Sequence, residues 1–162
     1  MYNSEMEKKV KRVYVDTTVV YGAPAKEYSE DSRQFWNAVR NGEIRIIASD
    51  VLVNEIERAP QRVRELYRKI PELQIERIES TDESDALAKR YIAEGVVGET
   101  HFEDCQHIAL ATIHNANALV SWNFGDIVYR RAGYNDINEK LGYHNIIIQS
   151  PKQFMEANNE SM

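Results

Sequence analysis

Short apolar runs recur along this chain, each followed by a longer stretch in which apolar residues return every three or four positions. The runs at 12–15, 44–48, 73–78, 118–121 and 145–148 are rich in β-branched residues and predict strands. Between them the spacing predicts helices. Ser29–Arg40 presents Phe35, Trp36 and Val39 on one face before Asn41-Gly42 stops it. Ser49 should cap a helix carrying Val51, Leu52 and Ile56 up to Pro60, and a second helix covers 61–70, ended by Pro71. Ser80-Thr81-Asp82-Glu83 opens a helix through Leu87, Ala88, Tyr91 and Ile92, with an acidic first turn that suits the helix dipole. After a loop at 95–98, a strong helix spans 100–114 and a weaker one, interrupted by Gly133, reaches Leu141. Gly22-Ala23-Pro24 breaks the chain early, and Pro151 should begin only a short terminal turn.

Strand and helix alternate almost throughout, which argues for a mainly parallel sheet with helices on both faces. The expected architecture is a single three-layer α/β domain over 12–155, with a charged lead-in at 1–11 and a tail at 156–162. A chain of 162 residues holds one domain with a real core, and there is no repeat or linker to suggest a second. No apolar stretch is long enough to span a membrane, and the first ten residues lack the apolar core of a signal peptide. The one cysteine, Cys105, excludes an intramolecular disulfide and fits a reducing compartment, so cytoplasm is the expectation.

Acidic residues stand where the predicted strands end. Asp16 follows Val13-Tyr14-Val15, Glu55 lies on the helix opened by Ser49, and Asp104 begins the helix before Ile108-Ala109-Leu110-Ala111. Asn123 and Asp126 follow the strand that ends at Ser121. In a parallel α/β sheet the carboxyl ends of the strands converge on one edge, where ligands bind. Carboxylates gathered there resist ionising together unless something neutralises them, and a hard divalent cation does so. Taken singly, each acid has an ordinary alternative: Asp16 as a helix cap, Asp104 and Glu103 as dipole complements, Glu55 as a solvated residue. Glu55 follows Leu52 by three positions, at the buried margin of its helix, where an unpaired acid is costly. Asp104 shares a face with Ile108 and Ala111, whereas Glu103 is turned about one hundred degrees away.

The net charge of −6 does not advertise nucleic-acid binding. A local exception follows Glu55, where Arg58, Arg62, Arg64, Arg68 and Lys69 are opposed only by Glu65. This is either a solvated helix face or a track for a phosphate backbone. Trp122 and Phe124 read as core or loop anchors, His107 and His114 as helix residues satisfied by hydrogen bonds, and no histidine or cysteine spacing resembles a zinc site.

Four segments taken together, Val13-Tyr14-Val15-Asp16-Thr17, the stretch from Ser49 to Ile56, the stretch from Glu103 to Ala111, and Leu119-Val120-Ser121-Trp122-Asn123-Phe124, resemble the PIN domain family. The similarity is greatest to the VapC-like toxins of prokaryotic toxin–antitoxin pairs. The resemblance implies a parallel sheet of about five strands and a magnesium- or manganese-dependent ribonuclease site. Asp16, Glu55 and Asp104 take the main acidic roles, and the fourth falls to Asn123 or Asp126. It also implies an RNA substrate, an antitoxin partner and a homodimer. Two other readings stand beside it. Asp16-Thr17-Thr18-Val19-Val20 also resembles the signature of haloacid-dehalogenase-type phosphatases, with Asp16 as nucleophile, but no closely spaced acidic pair or following lysine motif accompanies it. A non-catalytic module of the same fold, binding RNA or protein, is the other.

Overall fold

The computed structural model describes residues 10–22 and 29–160. Most of the predicted lead-in and the break at Ala23-Pro24 lie outside that range. Within it the chain forms one domain around a five-stranded sheet. The strands are β1 (Lys11–Val15), β2 (Ile44–Ser49), β3 (Ile75–Ile78), β4 (Ala118–Val120) and β5 (Ile148–Gln149). Their spatial order is β3-β2-β1-β4-β5 and every neighbouring pair is parallel.

Side chains along β1 alternate between two cores. Val13 and Val15 pack on one face, with α1 (Thr17–Gly22), α2 (Ser29–Arg40), α4 (Gln61–Arg68) and α8 (Pro151–Glu160). Tyr14 packs on the other, with α5 (Asp82–Ala93), α6 (Phe102–Ile113) and α7 (Arg131–Lys140). The helix α3 (Asp50–Glu57) contributes to both, Leu52 and Ile56 to the first and Val51 to the second. These are the three layers expected from the alternation.

Two helix starts follow their sequence signals. Ser49 accepts the Leu52 amide at α3, and Thr81 with Ser84 forms a reciprocal capping box at α5. Four segments differ from expectation, each for a local reason. The strand at 73–78 begins only at Ile75, because Pro71 leads into a 3₁₀ turn, Glu72–Gln74, that leaves Leu73 in solvent. The helix after Asp126 starts as a 3₁₀ turn, Val128–Arg130, and becomes α-helical at Arg131. Gly133 within it permits close packing, since a Cβ there would lie 3.1 Å from Val96 Cγ1.

The strand at 145–148 shrinks to Ile148–Gln149. Asn135 takes both backbone groups of Ile146, accepting from its N–H at 2.8 Å and donating to its carbonyl at 2.9 Å. That side chain supplies the hydrogen bonds a strand partner would otherwise give. The terminal turn is in fact a ten-residue helix. Ser150 Oγ accepts the Gln153 amide and Gln153 Oε1 accepts the Ser150 amide, with Pro151 at the first helical position. Phe154 then docks on Phe35, ring centroids 6.1 Å apart.

The chain runs outward from β1 to β3 and then crosses back to β4 on the other side of β1. The strand order therefore reverses between β1 and β4, and the carboxyl ends there form the edge at which open α/β sheets bind ligands. Trp122, just beyond β4, seals the outer side of this edge against Gly22 and donates to Ser32 Oγ. A Cβ on Gly22 would meet Trp122 Cδ1 at 2.7 Å and Nε1 at 2.8 Å. Gly22→Ala should therefore destabilise the fold by about 1–3 kcal/mol through overpacking, read as a lower urea midpoint with unchanged slope.

Candidate active site

Asp16 is the first residue after β1 and is buried. Its carboxylate is held on both sides: Thr18 Oγ1 donates to Oδ1 and Ser121 Oγ donates to Oδ2, each at 2.5 Å. Ser121 follows β4, so these bonds tie together the two strands where the order reverses. Burial pushes the Asp16 carboxyl above its ordinary range, and the charge of Asp104 adds to the effect. The positive character of His107 and the two hydroxyl donors offset part of the rise.

Glu55 reaches the same edge from α3. Its Oε1 lies 2.6 Å from His107 Nε2, while His107 Nδ1 lies 2.6 Å from the Tyr14 hydroxyl. The Tyr14 hydroxyl in turn pairs with Ser49 Oγ at 2.6 Å. A buried chain of four side chains thus runs from the end of β2, through β1 and α6, to the carboxylate of Glu55. Burial resists ionisation of Glu55, but the hydrogen bond and charge of His107 outweigh it and leave this carboxyl below its usual range. The reciprocal holds for His107: burial opposes its protonation, and Glu55, then Asp16 and Asp104, raise its pKa nonetheless.

Asp104, in the first turn of α6, is half-buried, and burial raises its pKa against the opposing hydrogen bond of His101. The charge of Asp126 raises it further. His101 Nδ1 stands 3.2 Å from Asp104 Oδ2 and 3.5 Å from Asp126 Oδ2. Asn123 and Asp126, alternatives in the sequence, do different things here. Asn123 Oδ1 accepts the Asp126 amide, and the Asn123 carbonyl accepts the amides of Ile127 and Val128. Its side chain shapes the turn, while the Asp126 carboxylate projects toward His101. Tyr134 braces this turn from α7 by donating to the Asp126 carbonyl at 2.8 Å.

The structure therefore gathers Asp16, Glu55 and Asp104 around His107, and Asp104 and Asp126 around His101. Of the basic residues, Arg58 borders them: it faces Glu103 at 3.5 Å and helps hold Glu55 ionised. Arg64 Nη1 donates to the Ala59 carbonyl at the end of α3, whereas Arg62, Arg68 and Lys69 are exposed along α4. His101 and Ser121 were not singled out from sequence. His101 precedes Asp104 by three positions, a spacing that places two residues on one face of a helix, and this was the available signal. His107 is satisfied by hydrogen bonds as expected, but its partner is the acidic site itself.

The donor set fits a divalent cation. All four carboxylates are hard oxygen donors, and Asp16 and Asp104 pay a desolvation penalty that nearby negative charge makes worse. Among the described residues, His101, Asp104 and Asp126 offer three ligand atoms within 4.8 Å of one another.

The switch-point edge of a parallel sheet, lined by acids from four segments, defines the class as a PIN-like α/β protein. The sequence profile of the PIN domain matches residues 12–125, and the chain belongs to that family. Curated proteins give no sequence match. Three solved structures share the fold, each with a TM-score of 0.54. VapBC2 from Rickettsia felis, bound to a promoter DNA fragment, is 13% identical and covers 86% of this chain and 98% of its own. VapC20 from Mycobacterium tuberculosis, a sarcin–ricin loop cleaving toxin, is 12% identical and covers 83% and 98%. FitAcB from Neisseria gonorrhoeae is 11% identical and covers 86% and 97%. The family match decides against the phosphatase alternative. No helix among the described residues is long and apolar enough to cross a membrane.

Two outcomes follow from the electrostatics. The raised pKa of Asp16 means that the native state holds its proton more tightly than the unfolded chain does. Stability is then lost as pH rises from the unfolded value through the folded one. Metal-free Asp16→Asn should accordingly melt higher than wild type at pH 7, by about 2–4 °C for each kcal/mol relieved, and the difference should shrink in acid. His107→Leu should do the reverse: with Glu55 deprived of its imidazole partner and the Tyr14 hydroxyl left with Ser49 alone, chemical denaturation should show a loss of roughly 1–3 kcal/mol.

Proposed function

We propose that this chain is a metal-dependent ribonuclease that hydrolyses RNA phosphodiesters, acting as the toxin of a toxin–antitoxin pair. The observation that carries this reading is the buried Asp16 carboxylate, held between two hydroxyls within a group of four acids. A module that only bound RNA or protein would have no use for so costly a cluster. PIN-family membership and the fold shared with VapC20 support this reading.

Asp16, Glu55, Asp104 and Asp126 would hold Mg²⁺ or Mn²⁺. When bound, such a cation supplies Lewis acidity toward the phosphodiester and a positive charge opposite the leaving oxygen. The chain's own residues provide the preorganisation. Thr18 and Ser121 fix both oxygens of Asp16, and the Ser49–Tyr14–His107 chain fixes Glu55. Asn123 and Tyr134 set the turn that presents Asp126. Fixed carboxylates of this kind need little reorganisation as charge develops in the transition state. Arg58 at the rim, with Arg62, Arg64, Arg68 and Lys69 beyond it, would guide the RNA backbone despite the overall negative charge. An antitoxin protein and a homodimeric assembly complete the reading, and the similarity to VapBC2 and FitAcB supports the antitoxin. Cytoplasm is the proposed setting, in keeping with the buried unpaired thiol of Cys105.

The test is cleavage of structured and single-stranded RNA with Mn²⁺, Mg²⁺ or EDTA, alongside Asp16→Ala and Asp104→Asn. Cleavage should require metal and fall in both variants by more than the roughly 10–100-fold that follows loss of an outer-sphere partner. Activity that survives EDTA, or persists in both variants, would refute the assignment.

A further inference from the structure

The acidic centre has two unlike halves. Asp16 is held by hydroxyl groups, and Glu55 is backed by His107, whose two ring nitrogens are already engaged by Tyr14 and Glu55. On the other side, Asp104 and Asp126 face His101, carried on the short turn Glu99–His101 that leads into α6. The His101 ring is half-buried, and one nitrogen, Nδ1, addresses both carboxylates. Its separations of 3.2 Å and 3.5 Å approach the roughly 3 Å between neighbouring ligands on one octahedral cation with bonds of about 2.1 Å.

Resting on the reading of these acids as a metal centre, we propose that His101 is itself a metal ligand through Nδ1, and that it makes the Asp104–Asp126 half prefer a first-row transition divalent cation over Mg²⁺. Mg²⁺ is small and hard, keeps its waters and seeks oxygen, so an imidazole adds little to its binding. Iron, nickel, copper and zinc accept imidazole nitrogen readily, whereas carboxylate and water suit Mg²⁺ and Mn²⁺. A centre of carboxylates alone lacks this bias. His101 also has a simpler role open to it, as a donor that merely separates two carboxylates. That role predicts the opposite result, because removing the ring would then free both acids for any cation alike.

The experiment titrates the full chain with Mn²⁺, followed by electron paramagnetic resonance, with Mg²⁺ as competitor. His101→Ala and His101→Asn are run beside wild type, and electron spin-echo modulation reads any nitrogen bonded to the manganese. The wild-type protein should show directly coordinated ¹⁴N, and both variants should lose it. Affinity for Ni²⁺, titrated in parallel, should fall at least about tenfold in the variants while Mg²⁺ affinity changes less than about twofold. Manganese bound without nitrogen coupling, or equal losses for the two ions, would overturn the role of His101 and leave the acidic centre standing. Failure of wild-type protein to bind Mn²⁺ at all would overturn both.

Discussion

The rest of the site depends on the cost of keeping one carboxylate, Asp16, out of water at the point where the strand order reverses. A buried charge is tolerated only when it is hydrogen-bonded and offset by opposite charge. Two hydroxyls supply the bonds, and they come from different sides of that point: Thr18 from the helix after β1 and Ser121 from the end of β4. The carboxylate therefore does structural service as well, joining β1 to β4 beyond the last backbone pairing. His107, itself buried and raised in pKa by Glu55, offsets part of that cost.

The acids are thus coupled through one imidazole rather than assembled independently. His107 sits in the middle of α6, against Tyr14 of β1, with ring centroids 5.5 Å apart at a steep angle. The same tyrosine reaches Ser49, whose hydroxyl also caps α3 and so sets where Glu55 falls. Sheet, capping residue, histidine and carboxylate form one continuous support. The second half of the centre rests on a different device, the turn closed by Asn123 and braced by Tyr134. Both halves share α6, which carries His107 behind Glu55 and Asp104 opposite Asp126.

Much of this was legible in the chain. The alternation of strands and helices gave the three layers, and the position of Asp16 after an apolar run placed it at the sheet edge. Ser49 announced both the cap and the helix of Glu55. What escaped was set by contacts distant in sequence. Nothing local to His101 reveals that the turn at 123–126 will bring Asp126 to it. The choice between Asn123 and Asp126 likewise depends on which side chain closes that turn. Asn135 displaces a strand at Ile146 through a side-chain bond across eleven residues, a pairing that β-propensity does not encode. The last helix is a different case: Ser150-Pro151-Lys152-Gln153 carries a legible capping box, and Pro151, expected to begin only a short turn, begins a ten-residue helix.

Asp16, Glu55, Asp104 and Asp126 together make up the proposed cation-binding centre. Anomalous diffraction from crystals soaked in Mn²⁺ tests it most directly, because it locates the ion without reference to activity. A manganese peak bounded by these carboxylates is expected, and it should disappear in crystals of Asp104→Asn. Well-diffracting crystals with the four acids in place and no anomalous peak between them would contradict it.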